Sequence, residues 1–337
     1  MRSQRRACSD LPHTATGPFA ISLSTISHNG TTRILSMRLS SALLFVFLNL
    51  TSGLASALPL NTPCLETKLG ILVKNFRGRV GVCVSDSRSG VSINGNRRFP
   101  LHSVFNLAAA LAVLDAVDKG QLRLDDAVAI GQNETDRGVQ PLAKHASLDR
   151  FNTTIRDLLF RMIVDSDDAA TDSLVKKVGG PSRIQSVLVK KGFKGFKIDR
   201  NERDLSAEGR RDQGFRASQR RDAGTPIAVA NLLQWLANGQ LLSRASSALL
   251  LEAMTKTRTY PERLRAGVPN GWLLAHETGT GSTGKGITAA TNDAGILMAP
   301  DASSFVVVVF IAESSASDKD RAALIAEVAR AVGECSQ

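Results

Sequence analysis

The chain has 337 residues, 43% of them hydrophobic and 22% charged, which is the make-up of an ordinary globular protein with a sizeable core in one large or two medium domains. Its formal charge is +11, but the basic residues are scattered and only 5% of residues are aromatic, so a nucleic-acid partner is not expected. Five histidines without a cluster, and no Cys-x-x-Cys or His-Glu-x-x-His run, leave no metal site and no cofactor expected.

The stretch Met37 to Ala57 has a basic start at Arg38, an apolar run from Ala42 to Leu50 and a small-x-small end at Ala55-Ser56-Ala57. That pattern reads as a signal peptide, and the run is too short to stay in a bilayer as an anchor. Residues 1–57 are therefore set apart from the fold as extension and leader. The expected location is secreted or periplasmic, with no stable membrane anchor after cleavage. Three cysteines follow, Cys64, Cys83 and Cys335, at spacings that match no metal site.

Leu65, Leu69, Leu72, Val73 and Phe76 recur at helical spacing and predict an amphipathic helix ending near Gly78. Val80, Val82 and Val84 alternate in a strand over Arg79–Asp86, and Gly90–Phe99 continues as strand and turn. Cys83, inside that strand, is expected as a buried free thiol. From Ser103 the pattern is helical: Ser103–Asp118 closed by Gly120, then Thr153–Ile163, Asp168–Val178, Pro181–Lys191, Pro226–Asn238 and Ser243–Lys256. Pro181 and Pro226 suit first-turn positions. The stretch Lys197–Pro226 is charged and without periodicity, the mark of a functional or disordered loop. Strands return at Gly271–Glu277, Gly286–Met298 and Ser304–Ala312, and Asp318–Val332 reads as a last helix. Strands at both ends around a helical middle predict an α/β protein whose one sheet is made from both chain ends, with an all-helical lobe inserted. The boundaries expected are 62–101 plus 257–337 for the α/β lobe and 102–256 for the helical lobe, within a module of residues 58–337.

Four stretches carry residues suited to catalysis, and each alone has a structural reading. Ser103 is a natural helix N-cap, and Ser166-Asp167-Asp168 caps the next helix equally well. His276–Gly281, "HETGTG", fits a hairpin edge, and Glu202 a solvated loop. Their order and separations, however, resemble the motifs of the class A serine β-lactamases and their penicillin-binding relatives: Ser-x-x-Lys, Ser-Asp-Asn, a Glu loop, then Lys-Thr-Gly. The likeness extends to Phe99–Asp126, to "VGGP" at Val178–Pro181, to "DRNERDLS" with "RDAGTP" as the family's omega loop, and to Arg263–Gly281.

The resemblance implies a β-lactamase-like fold, an antiparallel sheet flanked by helices. It implies an exported serine hydrolase, a monomer acting on a small β-lactam-like substrate. Ser103 is then the acylated nucleophile, and its N–H with that of Thr280 forms the oxyanion hole. Ser166 relays a proton to the leaving nitrogen, and Glu202 activates the water that attacks the ester. Thr278 and Gly279 line the substrate site. The resemblance also sets the first and last helices antiparallel, so that Cys64 and Cys335 meet in a disulfide.

The departures fall on charged positions. Asn106 stands for the lysine of the first motif, Asp168 for the asparagine of the second, Glu277 for the lysine of the third, and Ser206 for an asparagine beside the hydrolytic water. A site this acidic repels the carboxylate of a β-lactam, with compensation expected from Lys285 and Arg263. The alternative reading is a weakened or inactive protein on the same fold that binds cell-wall peptides or β-lactam-like ligands. An acyl-transferring or peptidase relative fits the fold but not Glu202.

Overall fold

The computed structural model describes residues 59–131, 150–200 and 222–336, all within one compact unit. Helix α1 (Thr62–Lys74) starts at Asn61, whose side chain accepts the Cys64 N–H, and buries Leu65 and Leu69. Strands β1 (Arg79–Ser85) and β2 (Gly90–Ile93) form an antiparallel pair, and Phe99–Pro100 is a two-residue strand, β3. At the other end of the chain lie β7 (Leu273–Thr280), β8 (Thr283–Gly284), β9 (Ile287–Met298) and β10 (Ser304–Ser314). The main sheet runs β2-β1-β10-β9-β7, antiparallel throughout, with β8 paired to β9.

This sheet is apolar on both faces because helices cover both. Along β10, Phe305, Val307, Val309 and Ile311 join Val80, Val82 and Val84 in a core with Leu65, Leu69 and the C-terminal helix. Val306, Val308, Phe310 and Ala312 face the other way, into the core built around α2 (Phe105–Asp118). Every residue of α2 from Phe105 to Ala116 is buried, as an all-round apolar helix requires.

The remaining helices are α3 (Ile155–Val164), α4 (Asp168–Lys177), α5 (Pro181–Lys190), α6 (Pro226–Ala237), α7 (Arg244–Thr255), the single turn α8 (Leu264–Gly267) and α9 (Asp318–Glu334). Their starts follow the sequence: side chains of Thr154, Asp167, Thr225, Ser243 and Ser317 each accept a backbone N–H of the first turn. The helix expected from Thr153 begins two residues later. Residues Arg150–Thr154 pair instead with β4 (Ala127–Gly131) as β5, and β6 (Ala223–Gly224) pairs with β3.

Cys64 and Cys335 form a disulfide with Cα atoms 5.8 Å apart, tying the start of α1 to the end of α9. Cys83 is buried in β1, as expected, but is disulfide-bonded rather than a free thiol. A strand interior tells that a sulfur is buried, not that it is reduced. Among the described residues no helix is long and apolar enough to cross a membrane.

Candidate active site

Ser103 lies in a single 3-10 turn, His102–Val104, that runs directly into α2. Neither this turn nor α2 has a side-chain cap, so the Ser103 hydroxyl is not used as an N-cap. It is half-buried at the positive end of a buried helix. Two contacts fix the turn. Asn292 of β9 donates from Nδ2 to the carbonyls of Pro100 (2.7 Å) and Leu101 (3.0 Å). Gly279 of β7 comes so close that a Cβ there would stand 2.5 Å from the Leu101 oxygen and 3.3 Å from the Ser103 nitrogen. Only a glycine permits this approach, which sets the end of β7 beside the Ser103 N–H.

Asn106, one turn on, is 1% exposed and joins four elements. Its Nδ2 donates to Met162 O of α3 (3.1 Å) and to Glu277 Oε1 of β7 (3.2 Å), while its Oδ1 accepts from Thr171 of α4 (3.2 Å). Both amide hydrogens are committed, and the group stays neutral across the physiological range. Glu277 is fully buried beside it. The two positions that carry lysines in the resembled family are thus bonded to each other here as an amide and a carboxyl.

Ser166 sits between α3 and α4 with φ 55°, a strained conformation for a serine. The next residue, Asp167, is the cap of α4, accepting from Ala170 N at 2.9 Å, so the structural reading holds for that residue. Asp168 opens the helix. Burial pushes its carboxyl up to about 6, and the charges of Asp167 and Asp172 push the same way.

On β7, an edge strand, His276, Glu277 and Thr278 are nonetheless buried. The Thr278 hydroxyl pairs with that of Thr259 at 2.7 Å. Arg263 is buried and wired to this strand end: Nη1 donates to the carbonyls of Gly279 (3.2 Å) and Asn292 (2.9 Å), and Nη2 to Thr280 Oγ1 (2.6 Å). Its positive charge therefore stands beside Thr280. Lys285 is at the exposed tip of the β8–β9 hairpin, where it and Gly286, with φ 51° and 75°, form the two-residue turn.

Glu202 and Ser206 lie outside the described residues, but the ends of their segment are described. Arg200 Nε donates to Asp222 Oδ2 at 2.7 Å, and the N–H groups of Asp199 and Arg200 donate to Asp222 Oδ1 at 2.8 and 3.0 Å. This buried clasp joins the two described residues that flank positions 201–221, and the Asp222 carbonyl accepts from Leu101 N, two residues before Ser103. His102 connects the same parts. Its Nε2 is buried without a hydrogen-bond partner among the described residues, against Gly281. Burial, then the nearby Arg200 charge, lowers its pKa to about 4, so the ring is neutral at pH 7.

The structure thus gathers Ser103, Asn106, Glu277, Thr278, Gly279, Thr280 and Arg263 around one turn, and Thr171 ties to it the helix that Asp168 opens and Ser166 precedes. Sequence reasoning missed Thr171, Asn292, His102, Arg200 and Asp222. Only the last two carried a signal: opposite charges flanking an aperiodic stretch. His102, Ser166 and Asp222 are three of the eight non-glycine residues with positive φ among the described residues, so part of the backbone strain lies at this site.

Residues 64–335 match the Beta-lactamase enzyme family. The chain is similar to the extended-spectrum β-lactamase PER-1 of Pseudomonas aeruginosa, 34% identical over 272 residues that cover 80% of this chain and 86% of that protein. It is 29% identical to β-lactamase VEB-1 of the same organism, over 80% of this chain and 89% of the other. Among solved structures, a β-lactamase from Chitinophaga pinensis superposes with a TM-score of 0.76 at 32% identity, covering 81% of this chain and 99% of that one. The TLA-1 extended-spectrum β-lactamase gives 0.76 at 28% identity, covering 81% and 98%.

Proposed function

The chain belongs to the β-lactamase enzyme family, in its class A serine branch, and from that premise we propose that it is an exported hydrolase opening β-lactam rings through an ester on Ser103. The observation that carries the reading is the approach of Gly279 to the Ser103 amide, with a serine hydroxyl left uncapped at a helix start. Ser103 Oγ attacks the lactam carbonyl, and its N–H with that of Thr280 stabilises the oxyanion. The ring C–N bond then breaks, and the nitrogen takes a proton through Ser166. Water activated by Glu202 hydrolyses the ester and frees Ser103. Because Asn106 neither titrates nor has a spare amide hydrogen, Glu202 acting through a water assists acylation, which proceeds slowly without it, whereas hydrolysis of the ester depends wholly on Glu202.

Substrate preference follows from the charges. Arg263, buried and bonded to Thr280, makes the strand end positive where the substrate carboxylate arrives, with Lys285 at the rim, while Asp168 and Glu277 favour substrates that also carry a positive group. The Cys64–Cys335 disulfide supports an oxidising, exported setting, and N-terminal sequencing of secreted protein is expected to begin near Leu58.

Asn106 and Glu277 favour one second reading, a binder on the same scaffold that acylates without turnover. Hydrolysis of benzylpenicillin and of a zwitterionic cephalosporin by purified protein separates the two. Turnover that vanishes in Ser103→Ala supports the enzyme. A stable adduct without product supports the binder, and turnover unchanged in Ser103→Ala contradicts both.

A further inference from the structure

A cavity of about 310 Å³ opens at the start of β7, lined by the apolar Val268, Pro269, Trp272 and Leu273 and by the polar Thr255, Arg265 and Asn270. Leu273 is 64% exposed, one of four large hydrophobic residues on the described surface, and Trp272 is half-buried, stacked on Phe305 with ring centroids 5.5 Å apart. The cavity lies six residues before Gly279 on an extended strand, roughly 20 Å from the Ser103 turn. It belongs to no part of the catalytic arrangement.

Among the described residues, Arg265 is the one charged residue that lines it. The Arg265 guanidinium donates from Nη2 to Thr257 O at 3.2 Å and faces His276 Nε2 at 3.3 Å, and no carboxylate lies within ion-pair distance among the described residues. The donors of Arg265 far outnumber these two contacts. The direction of the second contact is set by its neighbours. His276 Nδ1 lies 2.9 Å from Asp293 Oδ1, whose other oxygen accepts Leu264 N at 3.1 Å. Arg265 can only donate, so the ring proton sits on Nδ1 toward Asp293 and Nε2 accepts from Arg265.

We propose that this cavity is a second ligand site, for a small amphipathic monocarboxylate whose flat apolar body rests on Trp272 and Leu273 and whose carboxylate pairs with Arg265. The assignment rests on charge complementarity: an exposed guanidinium without an acidic partner, at the edge of an exposed apolar wall. It is independent of the Ser103 chemistry. Such a ligand draws Arg265 from His276, so binding is felt at a fully buried imidazole that the ligand never touches.

The test uses 3-phenylpropionate and its uncharged amide. Trp235→Phe leaves Trp272 as the sole tryptophan, and its quenching on titration reports occupancy. The acid is expected to bind with a Kd on the order of 1 mM, and the amide about 5- to 10-fold more weakly. The preference for the acid is expected to shrink in high salt and to vanish in Arg265→Gln. Nitrogen-detected NMR of the unsubstituted protein supplies a readout that needs no variant at Arg265: the His276 ring signals are expected to shift with the acid and not with the amide. Equal binding of acid and amide, no quenching at 20 mM acid, or unmoved His276 signals at saturation would each overturn the proposal.

Discussion

Asn106 and Asp168 carry the departures in charge most directly. A lysine at position 106 enters a pocket whose acceptors are already in place, Met162 O and Glu277 Oε1, so its charge is met by a buried carboxyl rather than left alone. Asn106→Lys is therefore expected to fold and to acylate faster, by about 10²-fold or more, because a titratable base stands one turn from the nucleophile. Stopped-flow acylation checks it, and a folded variant that acylates no faster contradicts the role given to Glu202 in that step. For Asp168 the sign is fixed by the raised pKa. The folded protein holds a proton that the unfolded chain releases near pH 4, so this group's stabilisation is complete below about 4 and is lost as pH rises through about 6. Two pKa units correspond to roughly 2–3 kcal/mol. Asp168→Asn is expected to flatten the stability profile across that window and to be the more stable form at pH 7.5, as urea midpoints at several pH values would record. The motif residues were legible because type and order are properties of the chain. Their partners were not: Asn106 reaches Met162 across 56 positions and Asn292 reaches Pro100 across 192, and no local pattern marks such pairs.

Helices were read with nearly correct ends because capping is local, and Asp167, Thr225, Ser243 and Ser317 announce their starts in the sequence. Short strands escape the same reasoning. The two-residue β3 and β6 have no period, and β5 was absorbed into the helix that follows it. The clasp between Arg200 and Asp222 is the element-scale feature with the clearest functional consequence, since it joins the two described residues that flank the segment bearing Glu202, and Asp222 in turn accepts from Leu101, two residues before Ser103. Asp222→Asn keeps a carbonyl for the two backbone N–H groups but removes the charge that Arg200 meets. It is expected to destabilise the protein by about 1–3 kcal/mol and to slow deacylation more than acylation, because only the ester-hydrolysing step depends wholly on Glu202. Pre-steady-state bursts with a chromogenic cephalosporin measure both; equal slowing of the two steps contradicts this division of roles.

The whole molecule is a sheet made from both ends of the chain, and that was legible because the strand and helix periods change twice along the sequence. What closes it is covalent. The Cys64–Cys335 bond spans 271 positions and links the first described helix to the last, so the Cys64→Ser, Cys335→Ser double variant is expected to lose roughly 2–5 kcal/mol of stability, measured by chemical denaturation. The oxidised state of Cys83 was not legible, because burial and redox state are separate properties of a thiol. The central claim, that this acidic variant of the site still works through an ester on Ser103, is tested most directly by intact-mass spectrometry of Glu202→Ala mixed with benzylpenicillin, followed by peptide mapping. The account expects an adduct equal to the whole antibiotic, accumulating over time, located on Ser103 and absent when Ser103→Ala is added. No adduct in a folded protein, or an adduct on any other residue, would contradict it.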